Sequence, residues 1–164
     1  MKRLLPFLLC LVLLFGCLSA SQNVYRHPDF MASLPESFAP VESASFVCFA
    51  PHGNPTFSSS ITFSATEQNW YFDSFSKAEY EDALQTLCGY ESLSVEQIDS
   101  CRVDGYDARR ITCQVLLEQG MHTLVIYAVN AEQTYFFTLL NRESDDYIGA
   151  FDAMMSTLQF TEER

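Results

Sequence analysis

The chain has 164 residues, 48% of them hydrophobic, and carries 21 acidic against 9 basic side chains for a net charge of −12. That length builds one domain with a substantial core, and so acidic a surface excludes a general affinity for nucleic acid or anionic lipid. Fourteen Phe and eight Tyr point to an aromatic-rich interior.

Lys2 and Arg3 precede an apolar stretch over residues 4–15, the layout of an export signal. A dozen apolar residues interrupted by Pro6 fall short of the roughly twenty needed to span a bilayer. Leu18-Ser19-Ala20 is a poor ordinary cleavage site because Leu18 is bulky where a small residue is wanted. Leu14-Phe15-Gly16-Cys17 instead resembles a bacterial lipobox, with Phe15 standing where a small or β-branched residue is usual. The resemblance implies cleavage before Cys17 and a diacylglyceryl thioether on its sulfur, two acyl chains that together make a stable anchor. Loss of residues 1–16 removes two basic residues and no acidic one, leaving a net charge of −14. Residues 17–27 are expected to form the lipidated end and a polar tether, and residues 28–164 the domain.

Phe30, Ala32 and Leu34 alternate with polar or smaller neighbours ahead of Pro35 and predict a first strand. Residues 46–50 and 60–64 read as two more, joined by a loop over Pro51-His52-Gly53-Asn54-Pro55. Ser76-Lys77-Ala78-Glu79 is a capping box, followed by Tyr80, Ala83, Leu84, Leu87 and Cys88 at helical spacing and by Gly89. A helix over 77–88 follows. Strands are predicted over 95–103, 109–117, 121–130 and 134–141, with Asp104-Gly105 and Gln119-Gly120 marking hairpin turns. Residues 124–129 are apolar on both faces, as a strand covered on both sides requires. A last helix is expected to open at Ser144, with Asp145 and Asp146 in its first turn and Tyr147, Ile148, Phe151, Met154, Met155 and Leu158 as its apolar stripe. The order of elements has no regular βαβ alternation and gives an α+β domain on a mostly antiparallel sheet.

That order, the hairpin Val103-Asp104-Gly105-Tyr106-Asp107-Ala108-Arg109, the run Thr134-Tyr135-Phe136-Phe137-Thr138, the closing residues 151–160 and the early Phe30-Met31-Ala32-Ser33-Leu34-Pro35 together resemble the PsbP-like family over residues 28–161. The resemblance implies an α/β/α sandwich, an antiparallel sheet with helices on both faces. Family members include a photosystem extrinsic subunit, a nuclear-import cofactor and many bacterial lipoproteins, which mostly bind or organise other proteins. The family brings no catalytic set, so no site residue is carried over.

Four cysteines remain in the mature chain, Cys48, Cys88, Cys101 and Cys113. They permit two disulfides, but Cys88 and Cys113 fall on apolar faces, which favours buried free thiols. Their spacing matches no zinc module, and His27, His52 and His122 are not at ligand spacing. No catalytic motif, cofactor motif or metal site is present, and Asp104 and Asp107 read as turn-formers.

Four residues stand out as possible partner contacts. Trp70 and Tyr71 sit in a polar stretch between strand and helix. Arg109 and Arg110 adjoin a turn in an acidic protein, and as consecutive strand residues they point to opposite faces, leaving one freely exposed. The leading expectation is a lipid-anchored, extracytoplasmic, non-enzymatic module at the cell membrane that binds or assembles another envelope protein. The alternatives are a small-ligand carrier with an aromatic cleft near Trp70, and a hydrolase whose residues meet only in three dimensions.

Overall fold

The computed structural model describes residues 23–41, 46–53, 59–67 and 69–161. Cys17 and the expected signal segment lie outside the described residues, as do Asn54 and Pro55 of the first long loop.

The chain is mixed α+β. In order it forms β1 (Val24–Arg26), β2 (Phe30–Ser33), β3 (Phe38–Pro40), β4 (Cys48–Pro51), β5 (Ser60–Thr66), a single 3-10 turn at Phe72–Ser74, helix α1 (Lys77–Cys88), β6 (Ser94–Val103), β7 (Tyr106–Leu117), β8 (Gly120–Asn130), β9 (Thr134–Arg142), helix α2 (Ile148–Ser156) and β10 (Gln159–Phe160). Among the described residues the strands make a seven-stranded sheet ordered β3-β4-β5-β9-β8-β7-β6 and a small sheet ordered β1-β2-β10, with antiparallel pairing throughout. No helix among these residues is long and apolar enough to cross a membrane.

Local chemistry sets the best-defined boundaries. Ser76 Oγ accepts the Glu79 amide while Glu79 Oε2 accepts the Ser76 amide at 2.6 Å, closing the capping box at the head of α1. Gly89, at φ 72°, ends the helix in the left-handed conformation, and its amide donates to the Gln85 carbonyl. Between β6 and β7, Val103 pairs with Tyr106 across Asp104 and Gly105, whose φ values of 49° and 82° give the mirror-image turn that suits strand twist. The next hairpin differs by one residue from its expectation. Leu117 pairs with Gly120, so Glu118 and Gln119 make the turn and Gly120 opens β8.

The alternation along β8 divides the interior. Leu124, Ile126 and Ala128 pack with Ile111, Cys113 and Val115 of β7, Phe136 of β9, and Tyr80 and Leu84 of α1. Val125, Tyr127 and Val129 pack with Phe137 and Leu139 of β9, Phe30 of β2, and Phe151, Met154 and Met155 of α2. Each fully buried aliphatic or aromatic side chain contributes about 1.5–3 kcal/mol, so both faces of β8 are strongly anchored.

Two expectations need correction. The last helix starts at Ile148 rather than Ser144, and no acidic residue lies in its first turn. Asn141 captures the intervening turn, donating to the carbonyls of Arg142 and Asp145 and accepting the Tyr147 amide through Oδ1. Asp145 is held instead by Ser59, whose Oγ donates to Oδ2 at 2.7 Å. The segment expected as a polar tether also holds a strand: residues of β1 pair with β2, and Tyr25 packs edge-on against Phe49 at 4.7 Å.

Candidate functional site

The stretch before α1 is polar in sequence but fixed in place by its backbone. The Trp70 amide donates to Thr134 Oγ1 and its carbonyl accepts from Asn130 Nδ2, each at 2.7 Å. The Tyr71 carbonyl receives the Ser74 amide and hydroxyl, and the Phe72 carbonyl receives the buried Tyr80 hydroxyl at 3.0 Å. Consecutive side chains meet different fates on this support. The Trp70 ring lies edge-on against Phe136 at 4.8 Å, and Phe72 is buried. Tyr71 projects outward and is 78% exposed. It stands between two open recesses, one of 590 Å³ lined by Trp70, Tyr71 and Phe75 and one of 440 Å³ reaching Asp73 and Asp107.

Arg109 and Arg110 do take opposite faces, but neither guanidinium is free, because each face supplies an acid. Arg109 is 6% exposed, lies 5.0 Å over the Phe72 ring, and reaches Asp73 at 2.6 Å and Asp107 at 3.4 Å. Desolvation works against its charge, yet the Asp73 hydrogen bond and the charges of Asp107 and Asp73 outweigh it and raise the guanidinium pKa. Arg110 forms a two-pronged pair with Asp152 of α2 and donates to Thr112 Oγ1. Tyr127 also donates to Asp152, and burial together with that bond pushes its phenol above the usual range. The expected freely exposed arginine is thus absent from this pair, and the two residues brace the surface around Tyr71 and the seat of α2.

Cys48, Cys88, Cys101 and Cys113 are free thiols. Burial pushes Cys88 up to about 11, and burial with nearby negative charge pushes Cys113 up to about 12. Such thiols are poor nucleophiles. Among the described residues no three His, Cys, Asp or Glu side chains are grouped to hold a metal ion. His27 Nδ1 lies 3.7 Å from Asp29 Oδ2 and accepts the Asp29 amide. His52 occupies a turn at φ 54°. His122 is fully buried, with Nδ1 3.0 Å from the Gly120 carbonyl and Nε2 without a hydrogen-bond partner among the described residues.

Sequence reading missed a second concave region. A cavity of 470 Å³ opens beside the β6–β7 and β8–β9 turns, lined by Tyr106, Tyr135 and Phe160 with Asp29 and Glu132. Its residues come from four separate segments and share no spacing that could have announced it.

No family model matches the chain, and no curated protein sequence matches it either. Solved structures do. The chain is similar to a cyanobacterial PsbP of Synechocystis, with a TM-score of 0.60 at 13% identity over 84% of this chain and 91% of that one. It is also similar to LpqN, a protein involved in cell envelope biogenesis of Mycobacterium tuberculosis, with a TM-score of 0.56 at 10% identity over 84% and 87%. A protein of Bacteroides thetaiotaomicron matches with a TM-score of 0.51 at 15% identity over 85% of this chain and 48% of that one. The fold is PsbP-like, and identities this low carry the fold alone.

Proposed function

We propose that this chain is a non-enzymatic binding or assembly module, tethered by lipid at Cys17 to the outer face of the cell membrane and acting on another envelope protein. In this reading residues 1–16 are the export signal, and the domain is the layered sandwich in which α1 and α2 cover opposite faces of the sheet. The observation that carries it is Tyr71, a large aromatic left 78% exposed on backbone pinned by Thr134, Asn130 and Ser74. A rigid, protruding aromatic next to recesses loses little entropy on binding and is the kind of anchor on which protein interfaces concentrate their affinity. Asp73, 94% exposed at its side chain and tied to Arg109, adds a charged rim.

The test is site-specific photo-crosslinking in intact cells, with a benzophenone amino acid at position 71 and, as comparison, at the exposed Leu116 on the β7–β8 hairpin. A discrete adduct from position 71 that position 116 does not give supports the reading. Identical or absent adducts from the two positions overturn it. In the same cells, intact mass of the membrane-extracted protein is expected to show an acylated chain beginning at Cys17.

A small-ligand carrier is the second reading, favoured by the 590 Å³ recess beside Trp70, whose volume lies within the range of about 300–1,000 Å³ usual for such sites.

A further inference from the structure

The cavity beside β10 brings aromatic rings and two carboxylates together without an arginine in its lining, whereas the acids beside Tyr71, Asp73 and Asp107, are tied to Arg109. Phe160 of β10 stands between two tyrosines, edge-on to Tyr106 at 5.3 Å and 5.0 Å from Tyr135. Asp29 and Glu132 add carboxylates, Pro28, Ala131 and Thr161 complete the lining, and none of the lining residues is basic. These side chains line one space, and Tyr135 is subject to the charges around it. Burial raises its phenol pKa, a hydrogen bond from Gln133 opposes the rise, and the negative charges of Asp29 and Glu132 with the Tyr106 ring add to it.

The aromatic face is the negative end of a ring quadrupole, and a carboxylate adds full charge to the same field. Such a lining repels anions, and its carboxylate charge and ring faces favour a cation over a neutral solute of the same shape. A metal ion would need converging oxygen or nitrogen ligands, and the described residues bring no three acidic, histidine or cysteine side chains together for one. The species that gains from both rings and carboxylates is a soft cation with a greasy surface, which sheds its water cheaply and fills space as well as balancing charge. The 470 Å³ volume accommodates a small molecule of that kind.

The site is also held in shape from below. Asp104 Oδ2 accepts the Phe160 amide at 2.8 Å, fastening β10 to the β6–β7 hairpin that carries Tyr106. The Thr161 amide donates to the Asp29 carbonyl, and its hydroxyl donates to the Pro28 carbonyl. The rings and Asp29 are therefore fixed relative to one another before any ligand arrives. His27 Nδ1, which accepts the Asp29 amide, lies 3.7 Å from the Asp29 carboxylate.

We infer that the Tyr106–Tyr135–Phe160 cavity, with Asp29 and Glu132, is a binding site for an alkylammonium cation, a quaternary ammonium group being its best fit. The group can arrive as a free solute or as the headgroup of a lipid, and the chemistry of recognition is the same. This site is independent of the proposed protein-binding role of Tyr71.

The test uses protein expressed from the full-length gene, labelled with nitrogen-15 and purified in the form the cell makes, titrated with choline and with its neutral isostere 3,3-dimethylbutanol. Saturable shifts at the amides of Ala131 and Thr161 with choline, at least tenfold weaker with the isostere, are the expected result. Asp29→Asn and Tyr106→Leu each lower choline affinity about tenfold while leaving the remaining amide resonances in place, as loss of one charge or one ring from such a site implies. Equal response to choline and the isostere, or no saturable shift with choline, overturns the inference. Sedimentation with phosphatidylcholine but not phosphatidylglycerol vesicles, competed by free choline, assigns the lipid headgroup as source. Choline shifts without sedimentation assign a free solute.

Discussion

Arg110 and Asp152 meet fork to fork, with Nε and Nη2 each 3.0 Å from one carboxylate oxygen. The pair joins β7 to α2 across 42 residues of sequence, and Tyr127 of β8 donates to the same carboxylate at 2.9 Å. Both side chains keep some contact with water, which weakens their attraction, but the paired hydrogen bonds remain directional.

Replacing Arg110 by Met therefore removes both charged hydrogen bonds and leaves Asp152 with Tyr127 alone. A loss of about 1–2 kcal/mol in urea unfolding is expected. Arg110→Lys keeps the charge without the fork and is expected to recover less than half of it. A lysine variant as stable as the parent would show that charge alone, not the two-pronged geometry, holds α2 in place.

Trp70 and Tyr71 are neighbours with opposite predicted behaviour. Trp70→Ala deletes a ring packed on Phe136 and Phe75 and is expected to cost about 3 kcal/mol. Tyr71→Ala removes an exposed ring and is expected to change stability by less than about 0.5 kcal/mol. Thermal unfolding of the two variants distinguishes a surface that is free to bind from one that is part of the core; a large cost at Tyr71 would place it in the second class.

The thiols give a pH prediction. Folded Cys88 holds its proton up to about 11 and Cys113 to about 12, whereas unfolding returns both to the ordinary 9.0. Between pH 9 and 11 the unfolded chain thus gives up protons that the folded chain keeps, and stability falls as pH rises, by at most about 1.4 kcal/mol per pH unit for each thiol. Below pH 9 the effect vanishes. Urea midpoints at pH 8, 9.5 and 10.5 are expected to decline, less steeply in Cys113→Ala. Alkylation at pH 8 is expected to be slow in the native protein and fast in urea; rapid native labelling of Cys113 would contradict its placement in the core.

What the sequence made legible was local. The Ser76 and Glu79 capping box, Gly89, the Asp104-Gly105 turn and the two-sided run over residues 124–129 each act through neighbours in the chain, so their structures follow from spacing. The start of α2 was misread because Asn141 and Ser59 hold Asp145 in a turn ahead of the helix, where Ser144 Oγ also donates to its carboxylate. Arg109 and Arg110 looked available because their acids, Asp73 and Asp152, are 36 and 42 residues away. The two-residue strand β10 has no periodicity to detect, and the aromatic cavity it completes was hidden with it.

That dependence makes the Asp104-Gly105 turn the most informative place to perturb the cavity without touching its lining. Gly105 has φ 82° and nothing within 4 Å of an added Cβ, so Gly105→Ala costs only backbone strain, about 1 kcal/mol. Asp104→Ala loses both a residue tolerant of φ 49° and the carboxylate that receives the Phe160 amide. Asp104→Asn keeps the tolerance and an acceptor oxygen. Stability is expected to fall in the order parent, Asn, Ala at position 104, and hydrogen exchange at the Phe160 amide is expected to accelerate in Asp104→Ala but not in Gly105→Ala. Equal acceleration in both variants would mean that turn strain, rather than the Asp104 carboxylate, controls β10, and the cavity would then be held by the hairpin alone.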